Sequence, residues 1–425
     1  MTLMNSKTSR GVMTVGSILW AASLPAHAAY GPFEHGYGIK SLGAGGIGYT
    51  SAEDSYWISG NPATAATLGA RYDIGLDWVT VLPSGRIYDN AAGPDETYSS
   101  DGTRQFPIPQ AGWIRPLSDQ LTLGISIFSA GLGTDYTHNP YERFGGDPVG
   151  GLAMSQSGIV SALAYKPSPQ QAIGISLNVS YQTLDVKGIQ PFAALSENPD
   201  KFTNQGNDGA FGIGFTVGWT GELAPGLSAG LAYRSTTWTQ RTDDYAGLLP
   251  DQGRLQLPAI WGGGLAYALR QGLTVAVDYQ RVEYASERAL GNPVSRLDQG
   301  HPMGSDNGPG FGWQDQDIYK LGLVWNLTPT LTLRGGYSHA SQIVARTETL
   351  FNLLAPVVGQ DHYTAGASWQ SKSGWELSGY AAVLERKNIH GQQSIPDALG
   401  GGEANVKNDM YMWGVSVGRP FGDAD

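Results

Sequence analysis

The chain has 425 residues, a formal net charge of -11, 15% charged residues and no cysteine. An acidic chain without a basic cluster is a poor nucleic-acid binder, because phosphate contacts need grouped Lys and Arg. The missing thiols exclude disulfides and thiolate-held metals. Soluble domains carry about 25% charged residues, so this low share, with 60 glycines, 12 Trp and 21 Tyr, fits a wall that faces lipid.

Residues 1–28 read as a secretory signal. Lys7 and Arg10 form a short basic start, Gly11 to Leu24 is mostly apolar, and Pro25 precedes the small-x-small triplet Ala26-His27-Ala28. The apolar run falls short of the roughly 20 residues that a spanning helix needs. Cleavage after Ala28 would remove two bases and no acid, taking the charge from -11 to -13.

Residues 29–69 show no sustained alternation. They hold Gly43-Ala44-Gly45-Gly46-Ile47-Gly48, Trp57, Asn61-Pro62-Ala63 and a helix-compatible stretch from Pro62 to Leu68. Such a segment ahead of a wide barrel needs somewhere to pack, and the lumen is the place.

From residue 70 to the end at 425 the period is two. Ile173, Ile175, Leu177 and Val179 alternate with Gly174, Ser176, Asn178 and Ser180; Tyr411, Trp413, Val415 and Val417 alternate with Met412, Gly414, Ser416 and Gly418. One face is apolar and the other small or polar, the dyad of lipid-facing and lumen-facing positions. About fourteen segments read this way, starting near residues 70, 105, 119, 155, 172, 208, 226, 255, 271, 315, 329, 361, 373 and 408. Short turns (Pro116 to Asp119, Pro167 to Pro169, Ala224 to Gly226, Arg270 to Gly272, Thr328 to Thr330, Ser371 to Gly374) alternate with long polar connections such as Leu82 to Gln105, Gly131 to Gln156, Ala289 to Gln314 and Lys387 to Lys407. The expected fold is all-β, a transmembrane antiparallel barrel with an N-terminal plug. A soluble sandwich would place charges on its second face, where this chain has Gly, Ser, Thr and Asn.

Three motifs fail on context. Gly43 to Gly48 matches the dinucleotide fingerprint but lacks the strand before it and the βαβ unit around it. Gly226 to Gly230 and Gly414 to Gly418 match the nucleophile elbow, yet Ser228 and Ser416 fall within strands. The seven histidines, including His339 and His362, show no ligand spacing, so neither a metal nor a cofactor is expected.

The region around Leu42 to Leu68, with its Gly-rich stretch, Ala52-Glu53-Asp54 and Asn61-Pro62-Ala63, resembles the hatch of FadL/TodX-type outer-membrane transporters. Gly131 to Tyr136 is similar to the start of that family's third outer loop. Ala164-Tyr165-Lys166, Tyr233-Arg234-Ser235, Leu257-Pro258 and Leu333 to Tyr337 match its short signatures in order. A departure lies at the end, where Pro420 to Asp425 follows the last strand.

The resemblance implies a monomer surrounded by outer-membrane lipid that carries long-chain fatty acids or aromatic hydrocarbons inward. Loop residues Leu132, Tyr136, Tyr141 and Phe144, with Leu152 and Met154, are expected to form an outer capture groove, or else to stabilise the loop itself. The ligand is then expected near Ala29 and Tyr30, passing a gate at Gly43, Gly45, Gly46, Gly48, Asn61, Pro62 and Ala63 before leaving sideways. Arg334, on the inner face, is expected to meet either a ligand carboxylate or a hatch acid such as Glu53 or Asp54. Two other classes stay open, an outer-membrane lipid hydrolase and a passive porin.

Overall fold

The computed structural model describes residues 30–269 and 272–421. The expected signal, Ala29, Arg270 and Gln271 of one short turn, and residues 422–425 lie outside the described residues. Seventeen strands form one sheet. In chain order they are β1 (Arg71–Val81), β2 (Ser84–Tyr88), β3 (Glu96–Ser99), β4 (Gln105–Pro116), β5 (Leu121–Tyr136), β6 (Gly150–Ser168), β7 (Gln171–Lys187), β8 (Asp208–Ala224) and β9 (Leu227–Arg234). There follow β10 (Trp238–Thr239), β11 (Ile260–Ala268), β12 (Leu273–Val282), β13 (Gln316–Thr328), β14 (Leu331–Ala340), β15 (Asp361–Gln370), β16 (Glu376–Ile389) and β17 (Glu403–Pro420).

Each wall strand pairs antiparallel with its neighbours, and β1 closes the ring by pairing with β17 on one side and β4 on the other. Closure leaves no free edge, the condition for a sheet to stand in lipid. Without β2, β3 and β10, which lie in outer connections, the ring has fourteen strands. Ile173, Ile175, Leu177 and Val179 on β7 face outward, while Ser176, Asn178 and Ser180 are buried inside. Aromatics mark both rims. Tyr72 meets Trp375 and Phe421 near the short turns; Trp261, Tyr279 and Tyr319 make ring contacts at the long-loop end.

The outer connections differ in length from the sequence expectation. The expected loop Gly131 to Gln156 contracts to 137–149, because Gly131↔Ser155 through Tyr136↔Gly150 continue the ladder between β5 and β6. Small residues at Gly131, Gly133, Gly150 and Gly151 hide that alternation. Lys387 to Lys407 contracts in the same way to 390–402, whereas Ala289 to Gln314 widens to 283–315. These connections fold over the barrel as an apolar cap that buries Tyr136, Tyr141, Phe192, Tyr245, Tyr284 and Trp313.

Placing a charge on the lipid face should cost about 2–4 kcal/mol near the middle of the bilayer. Leu177→Arg, central in the exposed run of β7, is therefore expected to lower unfolding stability by roughly that amount in urea titrations of vesicle-embedded protein. A loss under about 0.5 kcal/mol would contradict the lipid-facing register.

Candidate functional site

Beneath the outer cap lies a cavity with an almost wholly apolar lining. Leu132 (β5), Leu152 and Met154 (β6) and Leu184 (β7) form its wall side, and Leu249, Met303 and Phe311 come from the outer connections. The cavity volume is about 50 Å3, so the cleft is narrow. Pro32, from the N-terminal segment, forms part of its floor.

That segment runs through the lumen and is fixed at several points. Gly45 and Gly46 take left-handed backbone (φ +74° and +80°), a region that glycine reaches without strain. The turn they make presses against Gly336 of β14, where a side chain on either partner would collide. The amide of Gly45 donates to Thr364 Oγ1 at 2.8 Å and that of Gly48 to Asp278 Oδ2 at 2.7 Å. Lys320 Nζ donates to the carbonyls of His35 (2.9 Å) and Gly46 (3.1 Å) and to Gln280 Oε1 (3.2 Å). Asn61 caps the short helix Pro62–Thr67 by accepting from the Ala63 amide, and its Nδ2 donates to the carbonyls of Tyr49 and Trp219.

Charges tie the segment down near the short-turn end. Arg334 grips Glu53 through two nitrogens at 2.6 and 3.1 Å, Lys40 pairs with Glu376, and Arg71 bridges Asp73 (2.6 Å) and Glu376 (3.2 Å). Burial, then the charge of Asp73, raises Asp54 to about 7. Burial and then Asp77 push Glu34 well above the usual carboxyl range. His35, with Nε2 3.1 Å from the Leu42 carbonyl and its ring stacked on His362, is lowered to about 4, first by burial.

The wall itself is interrupted at one place. Pairing between β4 and β5 runs only from Gly112↔Ser126 to Pro116↔Thr122, although β4 extends back to Gln105 and β5 on to Tyr136. The sequence of β4 explains this. Val81 N–H donates to the Arg104 carbonyl, so even-numbered residues of this strand turn their backbone groups to β1 and odd-numbered ones to β5. Pro107 and Pro109 are odd, and proline has no N–H. Two donors are thereby missing from the edge that would meet β5. At its far end the gap is closed by Gly102 N–H to the Asp135 carbonyl (3.0 Å) and Thr103 N–H to Asp135 Oδ2 (2.8 Å). Gly131 N–H, on the β5 edge, donates instead to the Pro32 carbonyl at 2.8 Å. Behind the gap lies a small cavity lined by Glu34, Tyr37, Tyr56, Ile108, Pro109 and Phe128 among others.

Comparison with known proteins accords with this architecture. The family model described as outer membrane protein transport protein (OMPP1/FadL/TodX) matches residues 42–421. The chain belongs to the OMPP1/FadL/TodX family. Its barrel is accordingly an outer-membrane one, and the N-terminal segment is the hatch. Among solved structures, the toluene transporter TodX of P. putida is 18% identical, covers 92% of this chain and 99% of its own, and superposes with TM-score 0.67. A Pseudomonas aeruginosa FadL homologue is 14% identical over 93% of this chain and 100% of its own, at TM-score 0.68. The Ralstonia pickettii toluene transporter TbuX is 17% identical over 91% and 99%, at TM-score 0.63. Comparison with curated protein sequences gave no match.

The residues singled out from the sequence fall into distinct places in this OMPP1/FadL/TodX barrel. Leu132, Leu152 and Met154 line the outer cavity. Tyr136 and Tyr141 are fully buried, donating to the carbonyls of Leu353 and Leu350, and so brace the cap. Phe144 packs beside Phe192 at the cap's edge with the two rings tilted. Tyr30 is buried, with its hydroxyl 2.5 Å from Ser338 Oγ and its carbonyl accepting from Tyr284. Arg334 meets Glu53 of the hatch rather than open lumen. Sequence reasoning missed Pro107 and Pro109, although paired prolines inside an alternating strand are a recognised mark of a free edge.

Two hatch groups titrate in opposite senses. The neutral His35 stabilises the packed hatch fully above its ordinary 6.5, and that contribution is lost as pH falls toward 4. Asp54 contributes fully below its ordinary 3.8 and loses that contribution as pH rises through about 7. The groups facing His35 are Lys320, His362 and Tyr380, which stay unchanged in the test. In planar bilayers, Asp54→Asn is expected to show more open-channel events as pH falls from 6.5 to 4, and His35→Gln more as pH rises from 4 to 7. The same pH profile in both variants would contradict this assignment.

Proposed function

We propose that this outer-membrane transport protein carries small hydrophobic molecules inward, long-chain fatty acids foremost. The ligand enters the apolar cavity under the cap, moves along the hatch at Pro32 and Phe33, and leaves sideways into the membrane between β4 and β5. The observation that carries the reading is the unpaired β4 edge, with an apolar cavity on one side of the hatch residue Pro32 and a second cavity behind the gap.

The physics favours such a route. Moving an apolar molecule from water into the outer cavity gains about 25 cal/mol per Å2 of buried surface. A pore open to water would offer it no such gain, and a hatch tied through Arg334 and Lys40 keeps water from running straight through. Exit through the wall returns the molecule to hydrocarbon without crossing the charged short-turn end. The narrowness of the outer cleft, and the toluene transporters TodX and TbuX among the structural relatives, favour aromatic hydrocarbons as a second cargo.

Replacing Pro107 and Pro109 together with Thr restores two donors to the edge and lets β4 zip to β5. Uptake of radiolabelled oleate by cells that rely on this protein is expected to fall roughly fivefold, ~1 kcal/mol of barrier. The barrel should still assemble, as judged by its heat-modifiable migration on gels. Unchanged uptake would rule out exit at this gap.

A further inference from the structure

We propose that the small cavity behind the wall gap reads a hydroxyl group, and so selects apolar alcohols and phenols as a further class of cargo. The inference rests on the transport reading above and adds a substrate class to it.

The cavity is built where the hatch meets the start of the gap in β4. Gln110 on that strand is buried on the inner face, and Gly75 stands directly across from it on β1. Gly75 leaves room for the hatch, because a side-chain carbon there would come within 3.3 Å of Tyr56 Oη. The wall thus brings the Gln110 amide and the Tyr56 hydroxyl to the same rung, and both residues line the cavity.

Both are deeply buried, with 7% of Gln110 and 2% of Tyr56 accessible. Among the described residues, neither Gln110 Oε1 nor Tyr56 Oη has a hydrogen-bond partner. Polar groups around them are matched. Ser55 Oγ donates to Asp73 at 2.7 Å, Ser59 Oγ lies 2.9 Å from Ser126 Oγ, and Tyr37 Oη accepts from Arg234 at 3.0 Å. Leaving a buried acceptor and a buried hydroxyl unpaired is unfavourable, so the site favours a group that satisfies both.

Size narrows the choice. The cavity volume is about 20 Å3, and a water molecule needs roughly 10–15 Å3. There is room for one water-sized group. A hydroxyl is that size and does both jobs at once: its O–H donates to Gln110 Oε1 and its oxygen accepts from the Tyr56 O–H. An ether oxygen accepts from Tyr56 and leaves Gln110 unpaired; a hydrocarbon leaves both unpaired. A hydroxyl also displaces a trapped water while reproducing its hydrogen bonds, which the other two cannot do.

The rest of the molecule has somewhere to lie. Ile108, Pro109, Ile127 and Phe128 line the same cavity. Ile127 belongs to the part of β5 that has no partner on β4, so an apolar body anchored by its hydroxyl extends into the gap. The outer cavity, by contrast, is lined almost wholly by apolar groups and gives a hydroxyl little to bond.

The test compares dodecanol with its methyl ether, by displacement of a fluorescent fatty-acid probe from the detergent-solubilised full-length protein. The wild-type protein is expected to bind the alcohol about tenfold more tightly than the ether. Gln110→Leu should abolish that difference by weakening the alcohol alone. Tyr56→Phe should weaken alcohol and ether alike and keep the difference, since both accept from Tyr56. Equal affinities in the wild-type protein, or a loss shared by alcohol and ether in Gln110→Leu, overturn the hydroxyl site and leave hydrophobic transport standing. Displacement by neither compound overturns both. The wild-type comparison stands alone should a variant fail to assemble.

Discussion

In hydrocarbon, each unpaired backbone N–H or C=O costs several kcal/mol, and the rest of the molecule is arranged around that penalty. It requires the sheet to close, which β1 does by pairing with both β17 and β4. It also makes any break in the ladder informative. The break between β4 and β5 is tolerable because Pro107 and Pro109 have no N–H to leave unpaired, and because the hatch carbonyl of Pro32 accepts from Gly131 on the opposite edge. An interruption of the ladder is thus written into the covalent chemistry of β4.

A wide barrel would hold water in its lumen, and a transporter for apolar molecules works against that. The hatch fills the space by two different means. Small residues let backbone meet backbone, as at Gly45 against Gly336. Charges and polar side chains from the wall, including Arg334, Lys320 and Asp278, then hold the turns in place. The polar inner face of the barrel, read from the outside as mere alternation, is largely a template for the hatch.

Much of the wall was legible in the sequence, because a lipid-facing strand must alternate and a short turn must carry Pro, Gly or Ser. Where alternation failed as a guide, at Gly131 to Tyr136 and Gly150 to Met154, inward and outward residues were alike small and gave no contrast. The candidate site was less legible. Leu132, Leu152 and Met154 announce themselves by apolar character in an outer segment, but Tyr136 and Tyr141 look the same in sequence and brace the cap. Arg334 reads as an inward-facing base, open to a ligand carboxylate or a hatch acid; only three-dimensional packing shows that it meets Glu53. Pro107 and Pro109 were visible throughout, and their meaning depended on which edge their missing donors faced.

The central claim is that the ligand leaves through the wall between β4 and β5. Photo-crosslinking with a diazirine-bearing fatty acid, followed by mapping of the labelled peptides, tests it most directly. The account predicts labels at Ile108 to Gln110 and at Ile127 to Ser129, alongside the outer cavity. Labels confined to the outer cavity and the short-turn end of the hatch, with none on either side of the gap, would contradict it.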